Sequence, residues 1–175
     1  MHKSYDGCSP TNPTNPGRIE DLRLEAVTVC VGFDDLLDVA LRLNMPHFDT
    51  VIVVTSHEDW RTRQVCEKYG ALCVPTDLHL KNGRHFNKGA AINAGFGYWQ
   101  YHGWRLHLDA DIVLPDNFRR MLFNHTHLEK QTLYGADRVN LIGTEEIRAL
   151  RLNGTQHLSG CLLESHPKRQ IGARF

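Results

Sequence analysis

The chain has 175 residues, 41% apolar and 23% charged, with twenty basic residues balancing twenty acidic ones. That length suits one domain with a real core, and the neutral balance lacks the basic footprint of a nucleic-acid binder. The odd count of five cysteines, with no C-x-x-C, argues for a reducing compartment rather than a disulfide scaffold.

Residues 1–22 include the Pro- and Asn-rich "SPTNPTNPG" and form a loose lead-in, without the apolar core of a signal peptide. "EAVTVCVGF", Glu25 to Phe33, is the first predicted strand. "DDLLDVALRLN" follows with Leu36, Leu37, Ala40 and Leu41 at helical spacing, and Asp34 or Asp35 is the expected N-cap. "DTVIVVT", Asp49 to Thr55, is apolar enough for a parallel strand covered on both faces. "SHED", Ser56 to Asp59, fits a capping box opening a helix that ends at Tyr69, before Gly70. "ALCVP", Ala71 to Pro75, is a short third strand. A polar loop leads to the helix "KGAAINAGFGYWQ", then to the strand "WRLHLDADIVL" and a helix from Asp116 to about Asn124. "TLYGA" is a weaker strand and "TEEIRALR" a short helix.

Strands alternating with helices define an α/β class: a mostly parallel sheet with helices on both faces, whose ligands bind at the carboxyl ends of the strands. Those ends are polar or acidic here, at Gly32–Asp35, Thr55–Asp59, Pro75–Asp77 and Asp109–Asp111. No apolar run reaches the roughly 20 residues of a membrane span, so a cytoplasmic chain is expected.

Two stretches carry chemistry. In "LHLDADIVLP" the carboxylates of Asp109 and Asp111 interrupt an apolar run, and a buried carboxylate must be paired, hydrogen-bonded or metal-bound. If the strand continues through Asp111, both acids share one face and suit a Mg²⁺ or Mn²⁺ ion. If it ends at Leu108, they cap the following turn. In "GRHFNKGAAINAG", Gly83 to Gly95, Arg84 and Lys88 bring positive charge and Gly89 allows close backbone approach at a helix start. That combination favours an anion, whereas the plain alternative is a solvated loop capped by Asn87. Neither the G-x-G-x-x-G nor the G-x-x-x-x-G-K-[ST] phosphate signature is present, which argues against a dehydrogenase or a P-loop enzyme.

Together, "FNKGAAINAGF" and the downstream "WRLHLDADIVLP" resemble nucleotide-sugar glycosyltransferases of the GT-A fold, most closely family 2, over roughly residues 27–139. The resemblance implies a single Rossmann-like nucleotide-diphospho-sugar transferase domain that moves a sugar from a nucleoside diphosphate to an acceptor it does not identify. It implies Asp111 as a ligand of a divalent cation, Mn²⁺ or Mg²⁺, and Asp109 as a metal or ribose contact. Arg84, Asn87, Lys88 and Gly89 match the segment that closes over the nucleotide. A UDP-sugar is the first expectation, although family members often end the second strand with an acid that reads the base. Here Thr55 and Ser56 stand there, leaving Thr55 as the donor contact; Asp59 is nearby, with a capping-box role weighed ahead of base reading.

The expected organisation is a tail over residues 1–22, a donor-binding domain over 23–157, and a poorly packed segment over 158–175. The acceptor part is short, with 64 residues after Asp111. Asp137 is the candidate base because it follows a predicted strand; a turn acid paired with Arg138 is its plain alternative. Two other readings compete. One is a non-catalytic or incomplete sugar-nucleotide-binding domain. The other is a haloacid-dehalogenase-like phosphatase, whose D-x-D-x-[TV] motif Asp109–Val113 also fits, with Asp109 as nucleophile.

Overall fold

The computed structural model describes residues 23–83, 86–124, 133–135, 139–141, 148–150, 154 and 163–165. Four strands, β1 (Leu24–Val29), β2 (Thr50–Thr55), β3 (Leu72–Pro75) and β4 (Trp104–Asp109), form one all-parallel sheet in the order β3-β2-β1-β4. The chain is therefore of the α/β class. The sequence moves outward from β1 through β2 to β3, then returns to place β4 on the other side of β1. This reversal makes the β1–β4 boundary a topological switch point, where neighbouring loops diverge and leave a crevice at the carboxyl ends.

Period-two alternation distributes the side chains between two faces. Leu24, Ala26, Val51 and Val53 face one cluster with Leu37, Leu41 and Cys66, which come from α1 (Asp34–Asn44) and α2 (Trp60–Tyr69). Phe118 and Leu122 of α4 (Phe118–Asn124) pack against the same cluster. Val27, Val29, Ile52 and Val54 face the opposite cluster, where Ala91 and Ile92 of α3 (Lys88–Phe96) cover them. Each such buried aliphatic side chain contributes on the order of 1.5–3 kcal/mol, so both faces need their helices. Helices do lie on both faces, as expected.

The approach of α3 depends on Gly95. A Cβ there would stand 2.5 Å from Val27 Cγ2 and 2.9 Å from Val54 Cγ2, closer than side chains tolerate. The helix thus rests backbone-first on β1 and β2. At the other end of the sheet, Asp49 accepts from the Leu24 N–H (2.8 Å), Arg23 (2.8 Å) and Arg119 (3.1 Å), joining the start of β1 to α4. The buried Glu25 accepts the N–H groups of Gln100 (2.9 Å) and Tyr101 (3.1 Å), which sets the lead-in to β4.

Several element ends differ from expectation. The N-cap of α1 is Phe33, without a side-chain hydrogen bond; Asp34 and Asp35 lie inside the first turn, where carboxylates favour the positive end of the helix dipole. Asp59, not Ser56, caps α2, while Ser56 Oγ accepts from the Asp59 N–H at 3.2 Å. Gly70 ends α2 in the left-handed conformation, as its position suggests. β4 stops at Asp109, and α4 begins at Phe118 rather than Asp116. Leu133–Gly135 is not strand; instead β5 (Val139–Leu141) pairs antiparallel with β6 (Leu163–Ser165), which falls within the segment 158–175. Among the described residues, no helix is long and apolar enough to cross a membrane.

Candidate functional site at the switch point

β4 is an edge strand with two unlike faces. Leu106, Leu108 and Ala110 pack against the α1–α2 cluster. Arg105, His107 and Asp109 occupy the other parity, on the side of α3, and His107 and Asp109 remain about one-third exposed at 36% and 37%. The strand is pinned to its neighbour just before the acids, because Thr28 Oγ1 donates to the Leu108 carbonyl at 2.5 Å. Val29 stands opposite Asp109 in the ladder, so the first acid sits at the end of β1 as well as β4.

The helix α3 runs back from the carboxyl edge, and Lys88 is its first residue. Its ammonium pairs with Asp109 Oδ1, joining the two stretches that stood out in the sequence. His107 Nε2 lies 3.7 Å from the same oxygen. Burial lowers the His107 pKa below its ordinary value, the Lys88 charge lowers it further, and Asp109 opposes both. The net effect favours the neutral imidazole.

Asp111 lies beyond the strand in an exposed turn closed by the Ile112 N–H donating to the Asp109 carbonyl at 3.1 Å. The two acids consequently bracket a turn rather than share a strand face. Asn44, buried at the end of α1, clamps the exit from that turn: Nδ2 donates to the Ile112 carbonyl (2.8 Å) and Oδ1 accepts the Leu114 N–H (2.9 Å).

The loop across the crevice is held by Asp59. Its carboxylate accepts the Gly32 N–H (2.8 Å), the Thr62 N–H (3.1 Å) and hydroxyl (2.7 Å), and the Thr55 hydroxyl (3.2 Å). Burial would raise the Asp59 pKa, but these hydrogen bonds outweigh it and hold the carboxyl below the ordinary range. Thr55 is fully buried with its hydroxyl on Asp59. Its side chain is thus a support for the loop, not an accessible donor contact. Phe33, next to Gly32, is 59% exposed.

The remaining expected residues divide. Asn87 caps α3, its Oδ1 accepting the Ala90 N–H at 3.1 Å. A Cβ on Gly89 would come only within 3.9 Å of Asn87 Oδ1, so packing does not demand glycine there. Arg84 and Asp137 lie outside the described residues. His107, Asn44 and the Asp59–Gly32 tie were missed from sequence. Only His107 left a signal, its two-residue spacing from Asp109.

Two depressions lie elsewhere, lined by residues of α1 and α2. One of about 360 Å³ is lined by Asp34, Trp60, Arg61, Gln64, Val65 and Lys68, between α1 and α2, away from Lys88 and Asp109. Being shallow and remote from convergent chemistry, it is a weaker candidate than the crevice.

Among the described residues, no three His, Cys, Asp or Glu side chains converge as a metal cage. Two carboxylates are nonetheless the usual protein share for Mg²⁺ when substrate phosphates and waters complete its shell. Asp109 and Asp111, flanking the turn at the end of β4, are the carboxylates that would supply that share.

The fold and site define an α/β domain with the Lys88–Asp109 ion pair at its switch point. No family model matches the chain, and no curated protein matches it either.

Proposed function

We propose that the chain is a glycosyltransferase domain of the GT-A type, resembling family 2, that binds a nucleoside-diphosphate sugar, first expected to be a UDP-sugar, with Mn²⁺ or Mg²⁺. The observation that carries this reading is the meeting of Lys88 with Asp109 at the β1–β4 switch point. A lysine at a helix start and a pair of carboxylates one turn apart suit a diphosphate together with its counter-cation.

In sugar transfer an acceptor hydroxyl oxygen bonds to the anomeric carbon and loses its proton to a base, the bond between that carbon and the diphosphate oxygen breaks, and negative charge grows on the leaving phosphate. A bound divalent cation supplies Lewis-acid stabilisation of that charge. Lys88 adds a second positive charge at the same place, and the N–H groups at the start of α3 add partial charge. Asp111 would hold the cation and Asp109 the cation or the ribose, while Asp59 keeps the Gly32 loop in place. The phosphatase reading is disfavoured by position, because that motif belongs at the end of a first strand and Asp109 ends β4, the fourth.

Calorimetry tests the proposal by titrating UDP, GDP and their sugars into the chain with and without Mn²⁺. Binding should require the cation, and Asp111→Ala should lose this cation-dependent binding while the far-UV spectrum stays unchanged. Cation-independent binding, or unchanged Mn²⁺ affinity in Asp111→Ala, overturns it. Cation-dependent binding with neither transfer to any acceptor nor hydrolysis of the donor would favour the non-catalytic alternative.

A further inference from the structure

Lys88 stands where a positive charge is locally disfavoured. As the first residue of α3 it adjoins the positive end of the helix dipole, which attracts anions and repels cations. Asp109 supplies the compensating anion. Both partners are partly open, with side chains 41% and 37% exposed, so the ammonium can leave the carboxylate without disturbing the core. The long lysine stem makes such a move inexpensive. Asp109 is also the carboxylate that the functional reading offers to a divalent cation. One oxygen therefore has two suitors of like charge, and they cannot both occupy it.

We propose that Lys88 is an exchangeable counter-cation for Asp109. It pairs with the carboxylate in the ligand-free chain, yields it to the divalent cation that arrives with the nucleotide, and turns its ammonium to the incoming diphosphate. The inference rests on the functional reading above and deepens it. Its consequence is selectivity: the cation alone must break the ion pair and leave the ammonium only to water, whereas the cation with a diphosphate offers that lysine a new anion. The site thus favours the cation–nucleotide pair over the free cation.

The exchange gives Lys88 effects of opposite sign on two ligands, which a merely structural role does not. Mn²⁺ binding to the full chain is followed by the loss of the free-ion paramagnetic resonance signal. Without nucleotide, Lys88→Met should bind Mn²⁺ roughly two- to fivefold tighter than the wild type, as expected for removing a competing, partly exposed ion pair. With Mn²⁺ saturating, the same variant should bind UDP about tenfold more weakly. Lys88→Arg should return Mn²⁺ affinity toward the wild-type value. Unchanged or weaker Mn²⁺ binding in Lys88→Met overturns the exchange.

A measurement on the wild type guards against a misfolded variant. The Lys88 ammonium resonance, assigned by its loss in Lys88→Arg, should shift when Mg²⁺ and UDP are added together. A resonance that stays unchanged while both ligands bind also overturns it. If wild type and variant alike fail to bind Mn²⁺ with UDP, the functional reading falls and takes the exchange with it. If the wild type binds both and only the sign of the Lys88→Met effect is wrong, the exchange alone falls.

Discussion

Asn44 offers a sharp test of how the fold positions the second acid. It is only 5% exposed, and its amide holds both the Ile112 carbonyl and the Leu114 N–H, immediately after Asp111. Asn44→Ala removes both partners at once. Each hydrogen bond contributes a net of roughly 0.5–1.5 kcal/mol, and a buried group left unpaired costs roughly 1–3 kcal/mol instead. Leu114 is itself only 8% exposed, so water replaces the amide poorly there, whereas Ile112 is more open. The combined loss should be about 2–4 kcal/mol, a large share of a typical domain's stability. Urea unfolding followed by tryptophan fluorescence reads it as a lower midpoint with an unchanged slope. Under conditions where the variant remains folded, cation-dependent UDP binding should also weaken, because the turn carrying Asp111 loses its anchor. A destabilisation below about 0.5 kcal/mol, or full ligand affinity in the variant, would refute the clamp.

Three further outcomes are expected. Gly95→Ala gains up to about 1 kcal/mol of helix propensity but forces a Cβ into Val27 and Val54; overpacking of about 1–3 kcal/mol should win, giving a lower melting temperature. Lys88→Ala should weaken UDP binding about tenfold and uridine binding hardly at all; equal losses for both would make the lysine structural. Asp49 and Asp59 both have depressed folded-state pKa values, despite burial, because hydrogen bonds favour their ionised forms. Their stabilisation is therefore present above the ordinary carboxyl pKa near 4 and lost as pH falls through the lower folded values. Asp59→Asn should show a flatter loss of stability below pH 4 than the wild type in acid titrations of the melting temperature.

Local patterns determined a good deal by themselves. The apolar runs at Val51–Val54 and Ala26–Val29 required strands covered on both faces, and the helical spacing of Leu37, Ala40 and Leu41 required α1. Asn87 before Lys88 and Gly70 after Tyr69 marked helix ends because their backbone chemistry is local. The D-x-D and the K-G-A-A-I-N segment could likewise be singled out, since a charge in an apolar run or at a helix start is conspicuous without knowledge of neighbours.

What lies between those elements was not legible. Strand order is a matter of which edge of β1 receives β4, and only packing of α3 on the second face decides that. The Lys88–Asp109 pair spans 21 residues, and the clamp of Asn44 on Ile112 and Leu114 spans 68 and 70. Such contacts join residues whose local sequences say nothing of one another. The end of β4 at Asp109 rather than Asp111 is of the same kind. The ladder with β1 ends there, and Asn44 takes the backbone of Ile112 and Leu114 into hydrogen bonds that no strand neighbour provides. Thr55 completes the contrast: its place at a strand end was evident, but its burial beneath Asp59 follows from where α2 begins and how the Gly32 loop folds over it.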